Sequence, residues 1–117
     1  MKREFIIAKT FDKNWKDLGL TDDNLREFQT FLMENPTAGN LITGTGGLRK
    51  IRWTLALSSK GKSGGIRNLY IDFMSFDTIF LVNCYGKSSQ ESITDKEKSM
   101  YKSLIKDIEK DFKEGLQ

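Results

Sequence analysis

The residues best suited to chemistry in this sequence are cations that gather in its middle. No acidic residue lies between Glu34 and Asp72, and this window carries six positive charges, whereas the whole chain carries a net charge of only +3. The six cations are Arg49, Lys50, Arg52, Lys60, Lys62 and Arg67. Arginine matches phosphate oxygens with its planar fork, and lysine adds a compact charge. The window therefore predicts a surface that holds a phosphate backbone, with ordinary solvated strand charges as the alternative.

Strand periodicity places several of these cations together. Lys50 and Arg52 are two residues apart in a β-like run, so they share one face of a sheet. Arg67 begins the next run, and Tyr85 and Lys87 end the third, so in-order pairing brings all five to one face near the strand ends. The opposite face receives apolar residues typical of a core: Ile51, Trp53 and Leu55.

Such a set could cleave RNA without histidine, which the chain lacks. A lysine or tyrosine would take the proton from a 2′-hydroxyl, and an arginine would stabilise the pentacovalent phosphate. A further cation would assist the leaving 5′-oxygen. Tyr70 or Tyr85 could instead stack on a base. The residue types leave open which side chain is the base, and they suggest neither a metal site nor a cofactor.

The elements that must position these residues follow the order βααβββα. A strand at Arg3–Lys9 precedes two helices, Thr10–Gly19 and one that begins at Thr21 and ends at Asn35-Pro36. Residues 37–47 are predicted to be a loop. Three strands and a final helix complete the chain: Leu48–Ala56, Ile66–Phe73, Thr78–Tyr85, and a helix from a capping box at Thr94 to Gly115. The pattern predicts a single α+β domain, residues 1–117, with an antiparallel sheet of about four strands.

Cysteine content and hydropathy indicate a compartment. Cys84 is the single cysteine, so no internal disulfide is available and a reducing environment is favoured. The apolar Phe5–Ala8 run is too short for the core of a signal peptide, and no stretch has the length of a membrane span. A cytoplasmic location is expected.

Three ordered motifs resemble those of a known family. Gly44-Thr-Gly-Gly-Leu-Arg-Lys-Ile-Arg52, Gly61-Lys-Ser-Gly-Gly-Ile-Arg67 and Tyr85-Gly-Lys87 are similar to successive motifs of the RelE/HigB superfamily of type II toxins. The HigB-like branch is the most similar, and the resemblance extends over nearly the whole chain. It implies a RelE-like fold, and it implies a ribosome-dependent mRNA endonuclease that cuts message in the A site of the 30S subunit without a metal. The implied partner is a small helix-turn-helix antitoxin.

The resemblance also sorts the candidate residues into two sets. Those expected to act in catalysis are Lys50, Arg52, Arg67, Tyr85 and Lys87. Those expected to bind RNA are Arg49, Lys60, Lys62 and Tyr70. Two other functions remain open on the same fold: a non-catalytic inhibitor of DNA gyrase of the ParE type, and a general RNA-binding module. Cations gathered at one site favour the nuclease over the gyrase inhibitor.

Overall fold

The computed structural model describes residues 3–54, 65–86 and 93–115. Within these residues the elements are β1 (Glu4–Ile7), α1 (Lys9–Asp17), α2 (Asp22–Glu34), β2 (Asn40–Leu41), β3 (Leu48–Trp53), β4 (Ile66–Phe73), β5 (Thr78–Gly86) and α3 (Asp95–Gly115). A 3₁₀ turn at Met74–Phe76 joins β4 to β5. The five strands form one sheet in the order β1-β5-β4-β3-β2.

The predicted α+β fold, with two N-terminal helices and a C-terminal helix, is confirmed, but two details of the sheet differ. First, β1 pairs in parallel with β5, so the sheet is mixed rather than antiparallel. Only a short connection forces neighbouring strands to run antiparallel, and β1 is far from β5 in the chain. Second, β2 adds a fifth strand within the segment predicted to be a loop. Its two residues are too few to leave a periodic pattern.

Each face of the sheet carries its own apolar core. On one face, the helix pair α1 and α2 packs over a cluster of buried residues: Phe11, Trp15, Phe28, Leu32, Tyr70, Ile79, Leu81 and Cys84. On the other face, α3 covers a second cluster: Leu48, Leu69, Ile71, Phe73, Val82, Tyr85, Ile93, Tyr101 and Ile105. We call these the α1–α2 face and the α3 face. The sheet is therefore the middle layer of three.

Local signals in the sequence explain where the helices begin and end. Thr21 caps α2 in a reciprocal capping box with Asn24, and Thr94 does the same for α3, since its hydroxyl accepts from the Glu97 N–H while the Glu97 carboxylate accepts from the Thr94 N–H. Both caps satisfy N–H groups that have no partner within the helix. Gly19 follows α1 with a φ of 81°, a conformation that glycine adopts without strain.

In the part of the chain that the structure describes, the helices do not combine the length and apolar character needed to cross a membrane.

Cys84 lies within the α1–α2 face and has no exposed surface. Its Sγ is 3.7 Å from the carbonyl oxygen of Phe11, and burial raises the pKa of the thiol to about 12. Because the thiolate is the reactive form, a buried thiol that stays protonated should react very slowly. We expect no measurable alkylation by iodoacetamide at about pH 8 while the protein is folded, and complete alkylation in denaturant. Mass spectrometry distinguishes the two, and equal labelling rates in both conditions would contradict the prediction.

Candidate functional site

Three side chains from the predicted catalytic set lie side by side across the sheet. In the strand register Arg52 on β3 is directly opposite Arg67 on β4, and Arg67 is directly opposite Tyr85 on β5. Residues that face each other in antiparallel strands project to the same side, with Cβ atoms about 4.5–5.5 Å apart. We call Arg52, Arg67 and Tyr85 the cross-strand row. The row lies on the α3 face, because Tyr85 belongs to the cluster under α3.

Lys50 lies beside the cross-strand row, on the same strand as Arg52. The two are separated by one residue, so they share a face, and Lys50 is opposite Leu69, another residue of the α3 cluster. The intervening Ile51 and the following Trp53 pack against the α1–α2 face, as predicted from the alternation of polar and apolar residues. The sequence of β3 thus divides into a cationic side and an apolar side.

An open pocket lies in front of these cations. Its volume is about 390 Å³, within the range of small-ligand sites, and it is lined by Asn40, Leu41, Ile42, Lys50, Arg52 and Arg67. Lys50, Arg52 and Arg67 belong to the predicted catalytic set, and Asn40 to Ile42 come from β2 and the residue after it. Arg67 is only 9% exposed, whereas Arg52 is exposed. The pocket therefore has a guanidinium at its base and another at its rim.

The cross-strand row places two positive charges next to each other. Two arginines directly opposite each other on neighbouring strands repel, and such pairs lower stability. Arg67 Nη1 donates to the carbonyl oxygen of Gly65 at 3.3 Å, which holds that guanidinium along the strand end. An anion placed between two guanidinium groups would relieve the repulsion and accept hydrogen bonds from both. The row can therefore accept a phosphate or similar anion in the pocket.

Arg49 and Tyr70, both predicted to bind RNA, lie on the other face. The Tyr70 hydroxyl donates to the Pro36 carbonyl at 2.9 Å and accepts from the Gly39 N–H at 2.9 Å. Arg49 Nη1 donates to the carbonyl oxygens of Thr37 at 3.2 Å and Gly39 at 2.6 Å. We call these four hydrogen bonds the Tyr70 brace. They tie residues 36–39 down just before β2 begins.

In this conformation the Tyr70 ring cannot stack on an RNA base. Its side chain has no exposed surface, and burial raises its pKa, so the phenol stays neutral and continues to donate. In this conformation Tyr70 supports the segment that leads into the pocket and does not line it. The structure therefore brings Lys50, Arg52, Arg67 and Tyr85 together and separates Arg49 and Tyr70 from them. The remaining candidates, Lys60, Lys62 and Lys87, lie outside the described residues.

Asn40 is a site residue that the sequence did not reveal. It lines the pocket from β2, where it is opposite Lys50, but it falls in the segment predicted to be a loop. A two-residue strand has no detectable alternation, so nothing marked the side to which Asn40 would project. The one available signal was its position ten residues before Lys50 across a glycine-rich turn, which is compatible with a hairpin.

The described residues do not bring three histidine, cysteine, aspartate or glutamate side chains together in a way that could hold a metal ion. The charged groups that line the pocket in the described part of the chain are guanidinium and ammonium groups, which attract anions and repel cations.

Comparisons with known proteins agree with this architecture. The family model described as the RelE toxin of the RelE/RelB toxin-antitoxin system matches residues 3–117. Among solved structures, the chain is similar to a double arginine-to-alanine mutant of the E. coli toxin RelE in the free state. The two chains are 20% identical, the similarity covers 76% of this chain and 86% of the other, and the TM-score is 0.53. At that identity the likeness is one of fold.

Proposed function

The chain belongs to the RelE toxin family, and on that premise we propose that it is a ribosome-dependent endonuclease that cleaves mRNA in the A site. The observation that carries the proposal is the cross-strand row beside a pocket lined by Lys50, Arg52 and Arg67. Among the residues that the structure describes, the charged groups that line the pocket are all cations, and such a lining fits a phosphodiester. RNA also supplies its own nucleophile, the 2′-hydroxyl. The protein therefore needs only to position the RNA, accept the proton of that hydroxyl and stabilise the negative charge on the phosphate.

The proposed reaction is a transphosphorylation. The 2′-oxygen attacks the adjacent phosphorus as its proton passes to a side chain of the site. The bond from phosphorus to the 5′-oxygen then breaks, leaving a 2′,3′-cyclic phosphate on one fragment and, once that oxygen has gained a proton, a 5′-hydroxyl on the other. Proton transfers of this kind contribute about 10²- to 10⁴-fold to rate.

The geometry supports a division of labour among the described residues. Arg67 lies in the middle of the row and lines the pocket. We therefore propose that it stabilises the negative charge that develops on the pentacovalent phosphate. Lys50 lines the pocket while Tyr85 does not, so we assign the 2′-hydroxyl proton to the Lys50 side chain, which accepts it as the neutral amine and becomes an ammonium group. Arg52, exposed at the rim, holds a phosphate oxygen. Lys87, from its place in the Tyr85-Gly86-Lys87 motif, is the proposed cation at the leaving 5′-oxygen. These roles require no metal ion.

The test is cleavage of message by the purified protein in the presence of translating ribosomes. We expect breaks within the reading frame, with 2′,3′-cyclic phosphate and 5′-hydroxyl ends, that persist in EDTA at a concentration the ribosomes tolerate. Salt-sensitive RNA binding without breaks would instead indicate an RNA-binding module. Blocked DNA replication with intact message after induction would indicate a gyrase inhibitor.

We further propose that the antitoxin partner is a small helix-turn-helix protein, and that the toxin acts in the cytoplasm, where ribosomes translate. The support is the similarity of the three ordered motifs to the HigB-like branch. Co-expression of this chain with the product of a short neighbouring reading frame of that type should yield a co-purifying complex and restore growth. A partner of another fold that does both would contradict the proposal.

The repulsion between the two arginines has a measurable consequence for stability. We expect Arg52→Gln to raise the free energy of unfolding by about 0.2–1 kcal/mol, because it removes a like-charge pair directly across two strands. The adjacent Arg49→Gln should have the opposite sign, because it breaks the two hydrogen bonds of Arg49 in the Tyr70 brace. Urea denaturation measures both. A gain that does not shrink at high salt would show that repulsion is not its cause.

A further inference from the structure

Asn40 is placed to touch whatever the cations of the pocket hold. It is opposite Lys50 in the β2–β3 pairing, so both side chains project to the α3 face, and it is exposed. Among the residues that line the pocket, Lys50, Arg52 and Arg67 are charged and Leu41 and Ile42 are apolar. Among the described residues of the pocket, Asn40 thus contributes the uncharged polar side chain, with a donor and an acceptor at its tip.

The other asparagines use their amides within the fold. Asn14 donates to Asn83, Asn24 accepts from the Thr21 N–H, Asn35 donates to the Phe31 carbonyl, Asn68 donates to the Ile66 carbonyl, and Asn83 also accepts from the Cys84 N–H. These hydrogen bonds join α1 to β5, hold the ends of α2 or lie within the sheet strands. Asn40 differs from them because it lines the pocket.

The position of Asn40 is fixed from the opposite face. The residue immediately before it, Gly39, is buried and held by both partners of the Tyr70 brace, through its N–H to Tyr70 and through its carbonyl to Arg49. A side chain that reads a ligand must be held within a small positional error, and support of this kind provides that. The brace thus gives Arg49 and Tyr70 a structural role, which is to hold residues 36–39 in place.

Cations alone give no base selectivity, because phosphate oxygens are the same in every nucleotide. An asparagine amide, by contrast, pairs with adenine through two hydrogen bonds, donating to N7 and accepting from the N6 amino group. Guanine presents two acceptors on the same edge, so one of its contacts would be lost. The bases of single-stranded message are open to such reading.

We propose that Asn40 is a specificity-determining residue that reads the base beside the scissile phosphate and favours adenine. The inference rests on the proposed nuclease function. It separates two tasks within one pocket: Lys50, Arg52 and Arg67 act on the phosphate, and Asn40 selects the nucleotide to which that phosphate belongs.

The experiment maps cleavage sites on a message of mixed sequence translated in vitro. Wild-type protein is expected to cut with adenine enriched about 5- to 100-fold at one position beside the break. Asn40→Ala should lose that enrichment while it still cuts, so that breaks spread over other bases. Asn40→Asp, which has lost the donor, should shift the preference toward cytosine, whose amino group a carboxylate accepts. Gln29→Ala, which removes an amide from α2 on the α1–α2 face, should keep the wild-type pattern.

The outcomes separate the two proposals. Wild-type cleavage with no base preference, or an Asn40→Ala pattern identical to wild type, would overturn the role of Asn40 and leave the nuclease function standing. A lower rate in Asn40→Ala with an unchanged distribution of breaks would also overturn it, because Asn40 would then support binding and not selection. A wild-type protein that makes no breaks would overturn both.

Discussion

Replacing Arg67 with alanine is expected to lower the rate of mRNA cleavage by about 10²- to 10³-fold, the usual cost of removing one preorganised donor from a charged transition state. Arg67 is the middle member of the cross-strand row and lines the pocket beside Lys50 and Arg52. Because it is only 9% exposed, its charge acts in a medium that screens it less than water does. No other described cation occupies an equivalent position.

The Arg67→Ala comparison needs variants that separate charge from fold. Arg67→Lys keeps the charge but not the planar fork, so it should retain part of the activity. Arg26→Ala is the matched control, since Arg26 lies on α2 with an exposed side chain and a surface ion pair to Asp23 at 3.5 Å. Cleavage is measured on translating ribosomes, and a thermal melt establishes that each variant is folded. A folded Arg67→Ala that cuts as fast as wild type would remove Arg67 from the mechanism.

Replacing Gly39 with alanine is expected to lower the free energy of unfolding by about 1–3 kcal/mol, the cost of forcing an extra group into a packed site. A Cβ at this position would lie 2.8 Å from Tyr70 Cε1, 2.9 Å from the Tyr70 hydroxyl oxygen and 3.1 Å from the Lys50 carbonyl oxygen. Tyr70 has no exposed surface, so its ring has little room to yield. The residue after Gly39 lines the pocket, so activity should fall together with stability.

Gly115→Ala is the control for the Gly39 variant, because no atom lies within 4 Å of the Cβ it would add. The double variant Gly39→Ala, Tyr70→Phe should cost less than the sum of the two single changes, since each disrupts the same hydrogen bond between Gly39 and Tyr70. Urea denaturation gives the three free energies. Strict additivity would show that the clash with Tyr70 is not the source of the instability.

Much of the fold followed from short-range signals. Helix caps at Thr21 and Thr94 and the alternation along β3 depend on neighbours within a few residues, and the structure agrees with each. The similarity of the three motifs to the RelE superfamily is likewise confirmed. The parallel direction of β1 and the existence of β2 did not follow, because each depends on contacts between distant segments that have no local pattern.

The candidate site divides in the same way. Alternation predicted that Lys50 and Arg52 share a face, and pairing of β3, β4 and β5 in order placed Arg67 and Tyr85 beside them. Charge predicts that Arg49 binds RNA, but its position between Leu48 and Lys50 on β3 directs it to the opposite face. Tyr70 was chosen for its aromatic ring, whereas its hydroxyl determines its place. Their structural role depends on the course of residues 36–39, which composition does not describe.

The strands that line the pocket are of two kinds, and this difference matters for engineering. Both residues of β2, Asn40 and Leu41, line the pocket from an edge strand that pairs with β3, whereas the cations belong to the interior strands β3 and β4. Sequence diversity introduced at the exposed position 40 would leave the two apolar cores intact, whereas the turn after it contains Ile42, which packs against the α3 cluster, and the buried Thr45. On the proposed function, a library confined to position 40 is expected to yield variants with new cutting preferences while Lys50, Arg52 and Arg67 stay unchanged.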